Sequence, residues 1–183
     1  MQSGKSTVAE YLKHSIEYEL NMWACMIGFA DGIKECAIDL FNDCQWLNLN
    51  DQSVKNSSHK SGKTYRKILQ ELGAKMREIW PDIWVDMLNK SLVKTGINIV
   101  PDVRFPNEVK AIQEMGGIVI RLTRDPVGSM DETETALDID GNYYTGFKNA
   151  NRKRFDHIVD NSDLSIGETN KICLKIAREY ING

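Results

Sequence analysis

Gln2-Ser3-Gly4-Lys5-Ser6-Thr7 stands at the head of the sequence. It reads as the back half of a phosphate-binding loop, whose whole pattern is Gly, four residues, then Gly-Lys-Ser/Thr. Counted back from Gly4, the first glycine of that pattern would precede Met1. Such a loop is fed by a strand and leads into a helix. Val8, Leu12 and Ile16 recur at helical spacing directly after it, so a helix starts at the glycine-lysine turn. The expectation is a fold that lacks its first strand and first loop glycine, with Met1 an internal residue of a longer ancestral chain taken as a start. The competing reading is a chance Ser-Gly-Lys-Ser in a polar terminus. The helix that follows argues against it.

Strands and helices alternate from there on. Met22 to Phe29 is apolar and reads as a short strand, broken by Ala30-Asp31-Gly32. Ile33, Ala37, Leu40 and Phe41 mark a second helix, and residues 48–65 a polar, mobile loop. Ile68, Leu69, Leu72 and Met76 mark a helix from Arg66 onward. Pro81-Asp82 starts another, with Ile83, Trp84, Met87 and Leu88 on one face. Ile97-Asn98-Ile99-Val100, Ile118 to Leu122 and Phe155 to Val159 read as strands; Glu108 to Met115 and Ile166 to Ile181 read as helices. This order implies an α/β fold with a parallel sheet covered on both faces. A second polar segment spans 125–154. No linker or repeat divides the chain, so one domain is expected.

The bulk numbers exclude several classes. The chain has 183 residues, 42% hydrophobic and 27% charged, which suits one globular domain with a real core. A net charge of −3 gives no basic field for nucleic acid. No apolar run approaches the ~20 residues of a membrane span, and no secretory signal is visible. Cys25, Cys36, Cys44 and Cys173 form no Cys-x-x-Cys pair and no cluster with His14, His59 or His157, which argues for reduced thiols and a cytoplasmic location rather than a zinc site.

Three stretches carry chemistry. In Ser3-Gly4-Lys5-Ser6-Thr7, backbone N–H groups and the helix N-terminus would cradle phosphate oxygens, Lys5 would bridge the β- and γ-phosphates, and Ser6 would hold Mg²⁺. Ser61-Gly62-Lys63-Thr64 looks alike, but Ser57 stands where the first glycine belongs and no strand precedes it, so it is rejected as a nucleotide loop. The third is Val100-Pro101-Asp102-Val103-Arg104-Phe105-Pro106-Asn107-Glu108. Asp102 sits at the C-terminal end of a strand, where open α/β sheets bind ligands, and could accept a proton or orient Mg²⁺ through water. Arg104 suits bidentate contact with a phosphate. The same residues also fit a plain turn closed by an Asp–Arg ion pair.

That turn resembles the signature of the bacteriophage-type deoxynucleoside monophosphate kinases. Arg66-Lys67-Ile68-Leu69-Gln70-Glu71-Leu72-Gly73, Trp80-Pro81-Asp82-Ile83-Trp84-Val85 and Phe155-Asp156-His157-Ile158-Val159-Asp160-Asn161 are similar to three further segments of that family, in the same order. The resemblance covers nearly the whole chain. It implies a P-loop kinase fold that uses ATP and Mg²⁺ on a deoxynucleoside monophosphate in the cytoplasm, that of the host for a phage-encoded protein. It implies that Lys34 approaches the acceptor phosphate, that Arg66 and Arg104 hold it, and that Gln70, Gly73 and Trp84 line the nucleoside pocket with Glu108 nearby. Arg121, Arg124 and Asn161 would lie at the nucleotide, one of the two arginines reaching the transferring phosphoryl group. No nucleic acid or membrane partner is expected. A homodimer would cover a sheet edge left bare by a missing strand.

The chain also departs from the family pattern. Ala74-Lys75 replaces Thr-Glu after Leu72-Gly73, and Asp131-Glu132-Thr133-Glu134 keeps an acid but not the histidine of His-x-Ser-Glu. Two alternatives therefore stand beside the kinase: a catalytically impaired nucleotide-binding protein of the same fold, and a P-loop kinase acting on a small metabolite.

Overall fold

The computed structural model describes residues 4–40, 48–124, 137 and 155–183. The chain divides into two compact units. The first comprises Met1–Ile27 and Val93–Gly183, and the second, Gly28–Leu92, interrupts it in sequence.

The first unit begins with helix α1 (Lys5–Glu19). Gly4 is its N-cap with φ +85, a left-handed conformation that a residue without a Cβ adopts at little cost. Val8, Leu12 and Ile16 are buried on one face, as their spacing predicts. The unit continues with β1 (Ala24–Met26) and β2 (Ile97–Ile99), which pair in parallel with Ala24 opposite Ile97 and Met26 opposite Ile99. Gly96 leads into β2 with φ +98. A Cβ there would lie 2.4 Å from the carbonyl oxygen of Trp23, so the residue has to be glycine. Later come β3 (Ile120–Leu122) and β4 (His157–Val159), also parallel, with Ile120 opposite His157.

The single sheet expected from the sequence is thus seen as two two-stranded parallel sheets among the described residues. Both rest on one core. Ala24 and Val159 are buried with Val8, Leu12 and Ile16 of α1 and with Cys173, Leu174 and Ala177 of the last helix; Ile97, Ile99, Ile120 and Leu122 pack against that cluster.

The second unit is helical: α2 (Phe29–Leu40), α3 (Gln52–Asn56), α4 (Tyr65–Ile79) and α5 (Ile83–Ser91). Trp84 is its packed centre at 1% exposure, and its indole N–H donates to the Gly73 carbonyl at 3.1 Å. Two readings change here. Ala30-Asp31-Gly32 does not break the chain but forms the first turn of α2; Asp31 Oδ2 accepts the Gly28 N–H at 2.8 Å and secures that start. The stretch read as a polar loop contains α3, capped by Asp51, whose Oδ1 accepts the N–H groups of Ser53 and Val54.

The first unit is completed by α6 (Pro106–Glu114) and α7 (Ile166–Asn182). Pro106 opens α6, where a missing N–H costs nothing. Ser165 and Glu168 form a reciprocal capping pair at the head of α7. Among the described residues no helix is long and apolar enough to cross a membrane.

Candidate functional site

Three connections orient the first unit. The short link from α1 to β1 makes them antiparallel neighbours, so the N-terminus of α1 lies toward the C-terminal end of β1. The short link from β4 to α7 does the same there. Arg178 near the end of α7 pairs with Glu19 at the end of α1, so these two helices run side by side in one direction. The Gly4-Lys5-Ser6 turn and the C-terminal ends of both strand pairs therefore share one side of this unit. That is where open α/β folds place their ligands.

At that side, Lys5 is half-buried while Ser6 and Thr7 are exposed in the first turn of α1. Among the described residues, nothing lies within 4 Å of where a Cβ on Gly4 would sit. Ser3 lies outside the described residues. Asp102 and Arg104 follow β2, both half-buried. Glu108 is only 2% exposed, and its Oε2 accepts the backbone N–H groups of Arg104 (2.7 Å) and Phe105 (3.1 Å). This carboxylate shapes the turn that presents Arg104; its burial sets it behind that turn.

The ends of β3 and β4 are laced together. Thr123 donates to Asp160 at 3.0 Å, and the Arg124 backbone N–H donates to the side chain of buried Asn161 at 2.8 Å. Arg124 Nε donates to the Asn161 carbonyl at 2.9 Å, and its Nη2 donates to the Leu164 carbonyl. Arg124 and Asn161, both assigned to the nucleotide from the sequence, thus brace the turn into α7. Bonds from the Ser162 backbone and the Ser162 and Thr123 side chains hold the Asp160 carboxyl below its ordinary value. Arg121 on β3 lies over the Phe155 ring, 5.6 Å from its centroid.

The second unit gathers the other group of candidates. Lys34 Nζ on α2 donates to Asp31 Oδ1 at 2.5 Å and to Asn50 Oδ1 at 2.7 Å. Arg66 on α4 donates from Nε to Asn56 Oδ1 at 3.1 Å and from Nη2 to Gln52 Oε1 at 2.6 Å. Both cations are therefore held by the same short segment, residues 50–56. Lys55 on that segment is half-buried. Burial pushes its ammonium below its ordinary value, and the charges of Lys34 and Arg66 push it further. Lys55 went unnoticed in the sequence. The signal was the Asp51-x-Ser53-Val54 capping pattern, which marks a helix inside the polar run.

Gln70 is exposed on α4. Gly73 and Trp84 do come together, but as a packing pair: in this conformation no base can stack on a buried indole whose N–H is already bonded. Gly73 keeps room for Ile33, whose Cδ1 would meet a Cβ at 3.0 Å. Ser61-Gly62-Lys63-Thr64 forms a tight turn closed by a bridge between Ser58 and Thr64, with Lys63 paired to Glu71 at 2.5 Å. Residues 131–134 and the basic run 151–154 lie outside the described residues. Among the described residues, no group of three or more His, Cys, Asp and Glu side chains is placed to hold a metal ion.

No family model matches the chain. It is similar to a viral protein. Over 154 residues it is 26% identical to a protein of Acanthamoeba polyphaga mimivirus described as "Putative deoxynucleotide monophosphate kinase", covering 75% of this chain and 77% of that one. The likeness suggests nucleotide phosphotransfer, and with it the use of ATP and Mg²⁺ that kinases share. Helices with small parallel sheets are consistent with an α/β kinase-like fold.

Proposed function

We propose that this chain transfers the γ-phosphoryl group of ATP to a deoxynucleoside 5′-monophosphate, giving the diphosphate and ADP. The observation that carries the reading is Gly4. It takes a left-handed conformation at the head of a 15-residue helix and is followed at once by Lys5 and Ser6. A turn of that form aims backbone N–H groups and a helix dipole at an anion. Among the described residues, nothing crowds the side of Gly4 where a Cβ would sit. The likeness to the mimivirus protein supports the choice of acceptor.

Phosphoryl transfer asks a protein for cations around anionic oxygens and for two substrates held in line. Ser3, Gly4 and Thr7 would cradle the ATP phosphates, with Lys5 as the local cation. Mg²⁺ would neutralise charge between the β- and γ-phosphates, held by Ser6 and phosphate oxygens. Mg²⁺ is commonly bound in this way, through one or two side chains plus substrate phosphates. Asp102 and Arg104 stand at the end of β2 to orient the acceptor, with Glu108 fixing their turn. Lys34 and Arg66 would take the acceptor phosphate, and Gln70 the nucleoside, on a wall stiffened by Gly73 and Trp84. Arg121, Arg124 and Asn161, on and just after β3 and β4, would lie at the nucleotide.

A coupled ADP-release assay over dAMP, dCMP, dGMP, dTMP and modified pyrimidine monophosphates tests the proposal. Turnover with at least one acceptor is expected. A folded chain that turns over none of them, yet binds ATP, would favour a nucleotide-binding protein without kinase activity.

A further inference from the structure

The second unit holds its cations in an unusual way. Arg66 is bonded to two side-chain amides, and Lys34 to one amide and one carboxylate. The amides of Asn50, Gln52 and Asn56 are neutral, so they orient the positive heads without cancelling their charge. Among the described residues, Asp31 is the one carboxylate bonded to this pair, and its other oxygen is engaged by the Gly28 N–H. Lys55 rises from the same segment; its backbone N–H donates to the Asp51 carbonyl, and among the described residues its ammonium makes no hydrogen bond or ion pair.

Three like charges on so short a frame repel one another, and half-burial of Lys55 adds a desolvation cost. Burial first, and then the charges of Lys34 and Arg66, push the Lys55 ammonium below its ordinary value against the opposing pull of Asp31. Asp31 is also paired with Lys34, so one carboxylate offsets only part of three positive charges, and the remainder points to compensation from outside the fold. The matching partner is a compact dianion, a phosphate monoester, whose three oxygens accept from all three cations.

We propose that Lys55 is a third phosphate-binding residue of the acceptor site, acting with Lys34 and Arg66 on the 5′-phosphate of the nucleoside monophosphate, and that the amides of Asn50, Gln52 and Asn56 hold two of the cations in place until that phosphate arrives. This rests on the acceptor reading given above.

The test is calorimetric titration of the four deoxynucleoside monophosphates and their parent nucleosides into the intact chain and into Lys55→Gln and Lys55→Arg. The intact chain should prefer a monophosphate over its nucleoside. Lys55→Gln should remove roughly tenfold of that preference, the scale of one lost charge-assisted hydrogen bond, and leave ATP affinity unchanged. The loss should be larger at about pH 8 than at about pH 5.5, where the phosphate is mostly a monoanion. Lys55→Arg should restore most of it. An intact chain that prefers the monophosphates, with Lys55→Gln behaving identically, overturns the role of Lys55 and leaves the acceptor reading standing. An intact chain with no preference overturns both. If Lys55→Gln does not fold, the lysine side-chain NMR signals of the intact protein decide. A rise in the Lys55 titration point on adding monophosphate supports the assignment, and no movement overturns it.

Discussion

In the first unit Arg124 donates to two main-chain carbonyls; in the second Arg66 donates to two side-chain amides. Main-chain carbonyls are fixed by the fold, so an arginine bonded to them is a strut. Side-chain amides rotate at little cost, so an arginine resting on them can be handed to a ligand. On the proposed function, the same residue type thus serves architecture at the end of the β3–β4 pair and recognition on α4. The contrast extends to the frames. The first unit builds its core from two sheets and the helices over them, while the second buries Trp84 among its helices with Phe29, Val85 and Leu88.

The strongest way to break this contrast is Trp84→Ala. Loss of a buried aromatic costs about 3–5 kcal/mol, and here it should fall on the second unit alone. Amide hydrogen exchange should show α2, α4 and α5 opening while β1 to β4 stay protected. Equal loss in both would mean that the two units unfold as one.

Next in size is Lys5→Ala. Removing one preorganised charge donor lowers kcat by roughly 10²–10³-fold, about 2.7–4 kcal/mol. Melting temperature should fall by much less than the rate, because Lys5 stands in the first turn of α1 and is not among its fully buried residues. A fall in melting temperature equal to the fall in rate would assign Lys5 to the fold.

A paired comparison follows. Arg124→Gln should cost stability, about 1.5–3 kcal/mol for bonds made by a charged donor, with weakened packing at the β4–α7 turn. Arg66→Gln should leave stability within about 0.5 kcal/mol, as an exposed side chain does, and raise the KM for the monophosphate instead. Urea denaturation beside steady-state kinetics separates the two. The reverse pattern would exchange strut and recognition residue.

The smallest effect is acidic. Asp51 in the second unit and Asp160 in the first both have carboxyls held below their ordinary value of 3.8, by Ser53 and Val54 in one case and by Ser162 and Thr123 in the other. A lowered folded-state value stabilises above the unfolded value, and that contribution is lost as pH falls through the folded one. Each unit should therefore weaken between about pH 5 and about pH 2. Asp51→Asn should flatten that slope for the helical unit, and Asp160→Asn for the other. Denaturation followed by exchange at each pH distinguishes them.

Much of the fold was legible because its patterns are local. The 3-4 spacing of Val8, Leu12 and Ile16, the β-branched Ile97–Ile99 and the Pro106 start each declare an element without knowledge of the rest. Phe29–Gly32 misled because Asp31 and Gly32 are turn residues by propensity; here Asp31 caps the helix it belongs to. Strand pairing is not local, so the division into two strand pairs was invisible. Of the site, Gly4 to Thr7 and the Asp102–Glu108 turn could be read from spacing. The distinction between Arg66 and Arg124 could not, since it depends on which acceptors the fold brings to each. Lys55 was hidden by a composition that reads as loop.

The parallel pairing of β1 with β2 has a kinetic consequence. The whole of the second unit lies between the two strands in sequence. Joining them through an unfolded connection of that length would have to overcome the entropy of a long loop before a single ladder bond rewards it. The helices of the second unit close by local contacts, on a faster timescale. Once formed, they shorten the connection that β1 and β2 must span. The helical insertion should therefore fold first and act as an internal chaperone for the register of Ala24 opposite Ile97.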